Sequence, residues 1–202
     1  LLGALLQSGI ALKLLLSANT SWYLWNFRAS LIKRLLVDGY QIVIMAPPDS
    51  KMQDLTAMGC QCISIPVAGK GTNIFREFWL FAKYLYYLTR VKPDVYISFT
   101  IKPVLYGGLA ARFLGVPTIV TITGLGTVFI RETFLTRLVE RIYRYSLLKA
   151  ERVLFQNQAD RTEFVTRNLV NVEQTERVPG SGIDIRQFFY QPPRLRSVEE
   201  GM

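Results

Sequence analysis

Between Val95 and Gly126 the chain reads VYISFTIKPVLYGGLAARFLGVPTIVTITGLG. Two apolar runs, Val95 to Phe99 and Thr118 to Ile122, bracket a helical segment and a Gly-Val-Pro turn. Neither run alternates apolar with polar residues, which is the pattern of parallel strands covered on both faces. The stretch therefore predicts a βαβ unit. In a parallel sheet, ligands collect beyond the carboxyl ends of the strands. Thr100-Ile101-Lys102-Pro103 and Thr123-Gly124-Leu125-Gly126 follow the two strands and are the first expected working edge.

The same grammar extends to both sides. Strands are expected over 12–17, 41–46, 60–65, 152–155 and 176–178, with helices between them. After the first strand, Phe27, Leu31 and Leu35 recur at helical spacing while Arg28, Lys33 and Arg34 lie towards the other side. Gly39 is placed to end that helix as a C-terminal cap. Further helices are expected over 50–58, 73–90, 132–150 and 158–168. The one over 132–150 puts Leu138, Val139, Ile142, Leu147 and Leu148 on an apolar side and Arg137, Glu140, Arg141, Arg144 and Lys149 on a wet one. Strand and helix alternating in this way specify an α/β fold: a doubly wound, mostly parallel Rossmann-like sheet with helices on both faces. One domain is expected over residues 12–188, preceded by an extension over 1–11 and followed by an exit linker or truncated crossover over 189–202.

Composition narrows the chemistry. The 202 residues are 50% hydrophobic and 19% charged, enough apolar material for a substantial core. Histidine is absent, which removes the commonest general base and metal ligand, and no metal or other cofactor is expected. Cys60 and Cys62 are expected on opposite faces of a strand, as small core residues rather than a disulfide, and a reducing cytosol fits them best. A formal charge of +9 favours anionic partners: nucleotide phosphates, polyanionic chains or an acidic membrane surface. No nucleic-acid fold signature accompanies that charge.

Three stretches carry alternative readings. The opening LLGALLQSGIALKLLLS is broken by Gln7, Ser8 and Lys13, so it falls short of the ~18 apolar residues a membrane span needs. The chain opens on Leu rather than Met, as expected of a fragment or of a chain with upstream sequence. Gly69-Lys70-Gly71 follows a strand and loosely resembles a phosphate loop, though the full Walker pattern is missing and a surface loop serves as well. Residues 73–90 carry Phe75, Phe78, Trp79, Phe81, Tyr84, Tyr86 and Tyr87 among Arg76, Lys83 and Arg90. That helix either covers the sheet and turns its excess aromatics to a neighbouring domain, or lies against a membrane interface.

Taken in order, SANTSWYLWNFR, IVIMAPPD, FTIKPVLYGGLAARFLGVP, VTITGLG, VLFQNQADR and VPGSGIDIRQF resemble the N-terminal domain of family-4 glycosyltransferases of GT-B architecture. The likeness spans residues 12–188 and is nearest to the subgroup that builds bacterial surface polysaccharides or lipid-linked oligosaccharides. It implies one of two Rossmann-like halves flanking a cleft. The family transfers a hexosyl or N-acetylhexosaminyl group from a nucleotide-diphosphate sugar to a glycan or polyprenyl-linked acceptor, with retention. In the family this half holds mainly the acceptor, and a C-terminal domain binds the donor and carries a glutamate pair that is absent here. The implied partners are the donor, the acceptor, that second domain in cis or trans, and an anionic membrane surface. The implied location is cytoplasmic and peripheral at the inner face of the cell membrane. Nucleic acid is not among them.

Carried over by position, Asn19, Thr20 and Ser21 face the cleft near the donor phosphates, and Gly124 and Gly126 let substrate approach closely or form an ordinary turn. Thr100 and Thr123 stand at the same edge. Lys102 meets a phosphate or belongs to a helix start beside Pro103. Asn157 contacts substrate or caps the following helix. Gly180, Gly182 and Asp184 match the segment before the interdomain crossover. Many relatives carry a histidine after the strand that ends here near Thr123, and its absence leaves the catalytic residues unassigned. Two other readings stand beside this one: a non-catalytic subunit that recruits acceptor or membrane for a split transferase, and a sugar-nucleotide epimerase of the same architecture.

Overall fold

The computed structural model describes residues 11–67, 74–124 and 134–182. A seven-stranded, wholly parallel sheet runs through them in the order β3-β2-β1-β4-β5-β6-β7. Its strands are β1 (Lys13–Ser17), β2 (Gln41–Ala46), β3 (Gln61–Ser64), β4 (Val95–Ser98), β5 (Thr118–Ile122), β6 (Arg152–Phe155) and β7 (Thr175–Arg177). The helices between them are α1 (Ser21–Val37), α2 (Lys51–Ala57), α3 (Ile74–Val91), α4 (Gly108–Phe113), α5 (Phe134–Leu147) and α6 (Gln158–Thr166). A π-helical turn, Pro103–Gly107, leads into α4. The doubly wound α/β sheet that the apolar runs predict is what forms, and β2, β5 and β6 begin and end where those runs do.

The unalternating strands are explained by what covers them. On one face Leu14, Leu16, Ile42, Ile44 and Val95 pack with Leu24 and Ile32 of α1 and Leu55 of α2. On the other, Leu15, Val43, Met45 and Tyr96 pack with Leu80, Tyr84 and Leu88 of α3 and with Ala110 and Ala111 of α4. That second face continues through Val120, Ile122, Val153 and Phe155 beneath Tyr143 and Leu147 of α5 and Phe164 of α6. Burying side chains of this size is worth about 1.5–3 kcal/mol each, which is the main force holding the layers together.

Helix ends follow local chemistry. Thr20 caps α1 by accepting from Tyr23 N at 3.0 Å. At the other end Gly39, with φ of 88°, lets Gly39 N reach Leu36 O and Tyr40 N reach Leu35 O, a Schellman closure. At the π-turn, Tyr96 Oη donates to Pro103 O at 2.9 Å. A Cβ on Gly107 would stand 1.9 Å from that hydroxyl, so glycine is required by close approach rather than by dihedral angle.

Several expectations need correction. Cys60 and Cys62 do not face opposite ways: pleating returns residues i and i+2 to the same side, and both pack on the core under α2. Both are free thiols. The inward face of α1 is Leu24 and Ile32, whereas Leu31 is exposed. Arg28 stays beside Leu31 and Leu35, its guanidinium over the Phe99 ring at 4.7 Å. In α5 the buried residues include Tyr143 and Ser146, while Leu138, and Leu148 just past the helix end, are exposed. Residues 1–10 of the extension expected over 1–11, the 189–202 tail and Gly69-Lys70-Gly71 lie outside the described residues.

Candidate functional site

Because all the strands run parallel, every strand-to-helix loop emerges at one edge. The winding reverses between β1 and β4, which lie side by side while the chain proceeds outward from each in opposite directions. That pair is the switch point, where the carboxyl ends leave a crevice.

At that point the loops after β1 and β4 meet through Asn19 and Thr100. Asn19 N donates to Thr100 Oγ1 at 2.8 Å, tying the loop after β1 to the loop after β4. Asn19 Oδ1 is buried and has no hydrogen-bond partner among the described residues, an acceptor left over at the switch point. Below it, Ser17 Oγ donates to Met45 O at 2.7 Å and lies 3.0 Å from Tyr84 Oη, locking β1 to β2 and α3. The neighbouring polar residues have structural tasks. Thr20 is the helix cap already described, and Ser21 is fully buried with its hydroxyl donating to Pro47 O at 2.8 Å.

Further along the edge, Thr123 Oγ1 donates to Phe99 O at 3.3 Å. Gly124 adopts φ of 153°, and no protein atom lies within 4 Å of a Cβ built there. Gly180 and Gly182 likewise face open space, with Gly182 at φ of 63°. Gln156 Nε2 donates to Ser181 Oγ at 3.1 Å and anchors that glycine segment to the end of β6. Asn157 caps α6: Oδ1 accepts from Asp160 N at 2.8 Å and Nδ2 donates to Asp160 Oδ2 at 2.9 Å. Gly126 and Asp184 lie outside the described residues.

Lys102 is part of the helical start beside Pro103 and also one half of an ion pair. Its Nζ donates to Glu77 Oε1 of α3 at 2.6 Å, with the two side chains only 17% and 15% exposed. Burial first, and then the nearby Glu77 carboxylate, raises the Tyr106 phenol pKa beyond its ordinary value. Beside the pair opens a cavity of about 440 Å³ lined by Pro47, Pro48, Pro66, Arg76, Lys83 and Lys102, with Trp79 among its walls. Sequence reasoning named Lys102 but missed Glu77, because a pairing between a crossover helix and a loop 25 residues later leaves no periodic signal.

A family model for glycosyl transferase 4-like proteins matches residues 13–157. The chain belongs to that family. No curated protein matches it in sequence. Among solved structures, its fold is similar to Acinetobacter baumannii MurG, at 18% identity and a TM-score of 0.55 over 93% of this chain. It is also similar to Anabaena Alr3699/HepE, solved in complex with UDP and glucose, at 16% identity and a TM-score of 0.61 over 90% of this chain. Neisseria meningitidis UDP-GlcNAc 2-epimerase, bound to UDP-GlcNAc, gives 11% identity and a TM-score of 0.60 over 84%. The family member described here spans 47% of the length of each of these proteins. The likenesses establish the fold, one Rossmann-like half of a GT-B architecture.

Proposed function

We propose that this domain is the acceptor side of a retaining glycosyltransferase that moves a hexosyl or N-acetylhexosaminyl group from a nucleotide-diphosphate sugar to a polysaccharide or lipid-linked glycan. The observation that carries the reading is the switch-point crevice with its unpartnered acceptor, Asn19 Oδ1. A half-site built on one loop edge is completed by a second, donor-binding domain in cis or trans, and nucleotide sugars occupy two of the similar solved folds. Asn19, Thr100, Thr123 and the open glycines at 124, 180 and 182 form the wall on this side. Thr20, Ser21 and Asn157 shape that wall by capping and pinning its helices.

The working place we infer is the inner face of a bacterial cell membrane, with the domain held peripherally. Phe75, Phe78 and Trp79 on α3 are 82%, 69% and 63% exposed, next to the cations of the same helix. Among the described residues no helix is long and apolar enough to cross a membrane. An aromatic ridge flanked by positive charge suits the headgroup boundary.

The test is an NMR titration with UDP-glucose of the isotope-labelled chain joined to its donor-binding half. Shifts are expected at Asn19, Thr100, Thr123 and Gly182; shifts confined to the amino edge of the sheet, or none at millimolar ligand, would overturn the reading. The alternative of a recruiting subunit without chemistry makes no demand on Asn19, and the same titration separates the two.

A further inference from the structure

Asp49, in the loop after β2, holds two helix beginnings with one carboxylate. Its Oδ2 accepts from Trp22 N in the first turn of α1 at 2.8 Å, and its Oδ1 accepts from Lys51 N at the start of α2 at 2.8 Å. Pro47 and Pro48 restrict the backbone just before it. Lys51 turns its own side chain elsewhere, pairing with Asp54 at 2.8 Å and lying over the Trp25 ring. Among the described residues no lysine or arginine forms an ion pair with Asp49. Its charge is balanced by backbone N–H groups.

The consequence lies in where α1 begins. A helix that starts at the carboxyl end of the first strand of a doubly wound sheet ordinarily offers free N–H groups, and the positive end of its dipole, to a phosphate. In this chain that end is already filled. Trp22 N is bonded to Asp49, Tyr23 N is bonded to the Thr20 hydroxyl at 3.0 Å, and a full negative charge stands where a phosphate oxygen would. The Ser21 hydroxyl is buried and spent on Pro47 O. The group left over in the loop leading into α1 is Asn19 Oδ1, an acceptor. A free acceptor and a fixed carboxylate at one helix end suit a hydroxyl group that donates, and disfavour an anion whose oxygens only accept.

We propose that Asp49 is a specificity-determining residue: it occupies the anion-binding end of α1, keeps the diphosphate of the nucleotide sugar off this half, and reserves the loop after β1 for neutral sugar hydroxyls, with Asn19 Oδ1 as their acceptor. The proposal rests on the acceptor-side reading above and deepens it by naming what the switch point refuses. The diphosphate then falls to the donor-binding half, and only the sugar reaches across to Asn19.

The experiment is an NMR titration with inorganic pyrophosphate of the isotope-labelled chain joined to its donor-binding half, read at the amides of Trp22 and Tyr23. In the unaltered protein these amides are expected to stay in place at millimolar pyrophosphate. Asp49→Asn keeps an acceptor for Trp22 N and removes the charge. Pyrophosphate should then shift both amides, with an apparent affinity raised about tenfold or more, the effect of removing a unit charge a few ångströms from a multiply charged anion. Asp49→Ser, a second neutral variant, should do the same where Asp49→Asn fails to fold. Shifts of Trp22 and Tyr23 by pyrophosphate in the unaltered protein would overturn the proposal, as would neutral variants of unchanged melting that gain none. UDP-glucose shifts at Asn19 and Thr100 are read separately: their absence sinks the acceptor-side reading, whereas pyrophosphate at Trp22 in their presence sinks only the role of Asp49.

Discussion

Lys102 Nζ and Glu77 Oε1 meet at 2.6 Å across the junction of the β4 loop and α3, and both side chains are largely removed from water. The pair ties the loop after β4 to the first turn of α3 and holds one cation at the cavity wall. Removing one partner strands the other in a poorly hydrated place. Glu77→Ala or Lys102→Ala is expected to cost about 3 kcal/mol, the lower end for buried pairs because each retains some exposure. The Glu77→Leu/Lys102→Met double variant should recover most of it. Urea midpoints of the three variants check this, and additive losses in the double variant would refute it.

The contact between Tyr96 and Gly107 gives a second prediction. Gly107→Ala drives a methyl group into the Tyr96 hydroxyl and ring, so a loss of about 1–3 kcal/mol is expected from overpacking. Tyr96→Phe removes the nearest atom but leaves ring carbon Cζ at 2.5 Å, so the double variant should regain only part of the melting temperature. Full stability in Gly107→Ala would show that the π-turn is free to shift.

Alkaline pH should unfold the domain. Burial pushes the Cys60 thiol from 9.0 up to about 12, with Cys62 adding to the shift, and burial also raises Tyr84 and Tyr143 above the ordinary phenol range. The fold prefers the protonated forms, so their contribution is complete below pH about 9 and is lost as pH rises through about 12. The share of tyrosinate absorbance that belongs to Tyr84 and Tyr143 should appear in a cooperative step coincident with loss of helical circular dichroism. Smooth titration of these phenols within an intact fold would contradict their burial.

Much of this architecture was legible in the residues, and the reasons for the exceptions are physical. Strands such as Thr118–Ile122 are visible because covering on both faces demands continuous apolar runs. The position of the strand-to-helix loops was legible too, since a parallel sheet must deliver them to one edge. What stayed hidden depends on side chains brought together by tertiary structure: Glu77 against Lys102, Tyr84 against Ser17, and Tyr96 against Gly107. Helix faces were blurred where a helix borders a groove. Leu31, Leu35 and Arg28 of α1 line an apolar hollow of about 450 Å³ with Ile97, Ile119 and Leu154, so the periodic stripe there marks a groove wall rather than the deepest core. The shared face of Cys60 and Cys62 follows from pleating alone and required no structure.

The exposed ridge of α3 predicts attachment to anionic bilayers. The Trp79→Ala/Lys83→Gln variant should sediment several-fold less with phosphatidylglycerol liposomes than the unaltered chain, and high salt should weaken both. Unchanged sedimentation would return the ridge to the role of a contact for a neighbouring domain.

The most direct test of the central claim follows a labelled sugar from a panel of nucleotide-diphosphate sugars into the glycans and lipids of membranes from the native cell. The native protein, with its donor-binding half in cis or trans, is predicted to incorporate label, and the 202-residue chain alone to incorporate none. Incorporation by the chain alone, or conversion of the nucleotide sugar without transfer by the native protein, would contradict the assignment of this domain as the acceptor half of a glycosyltransferase.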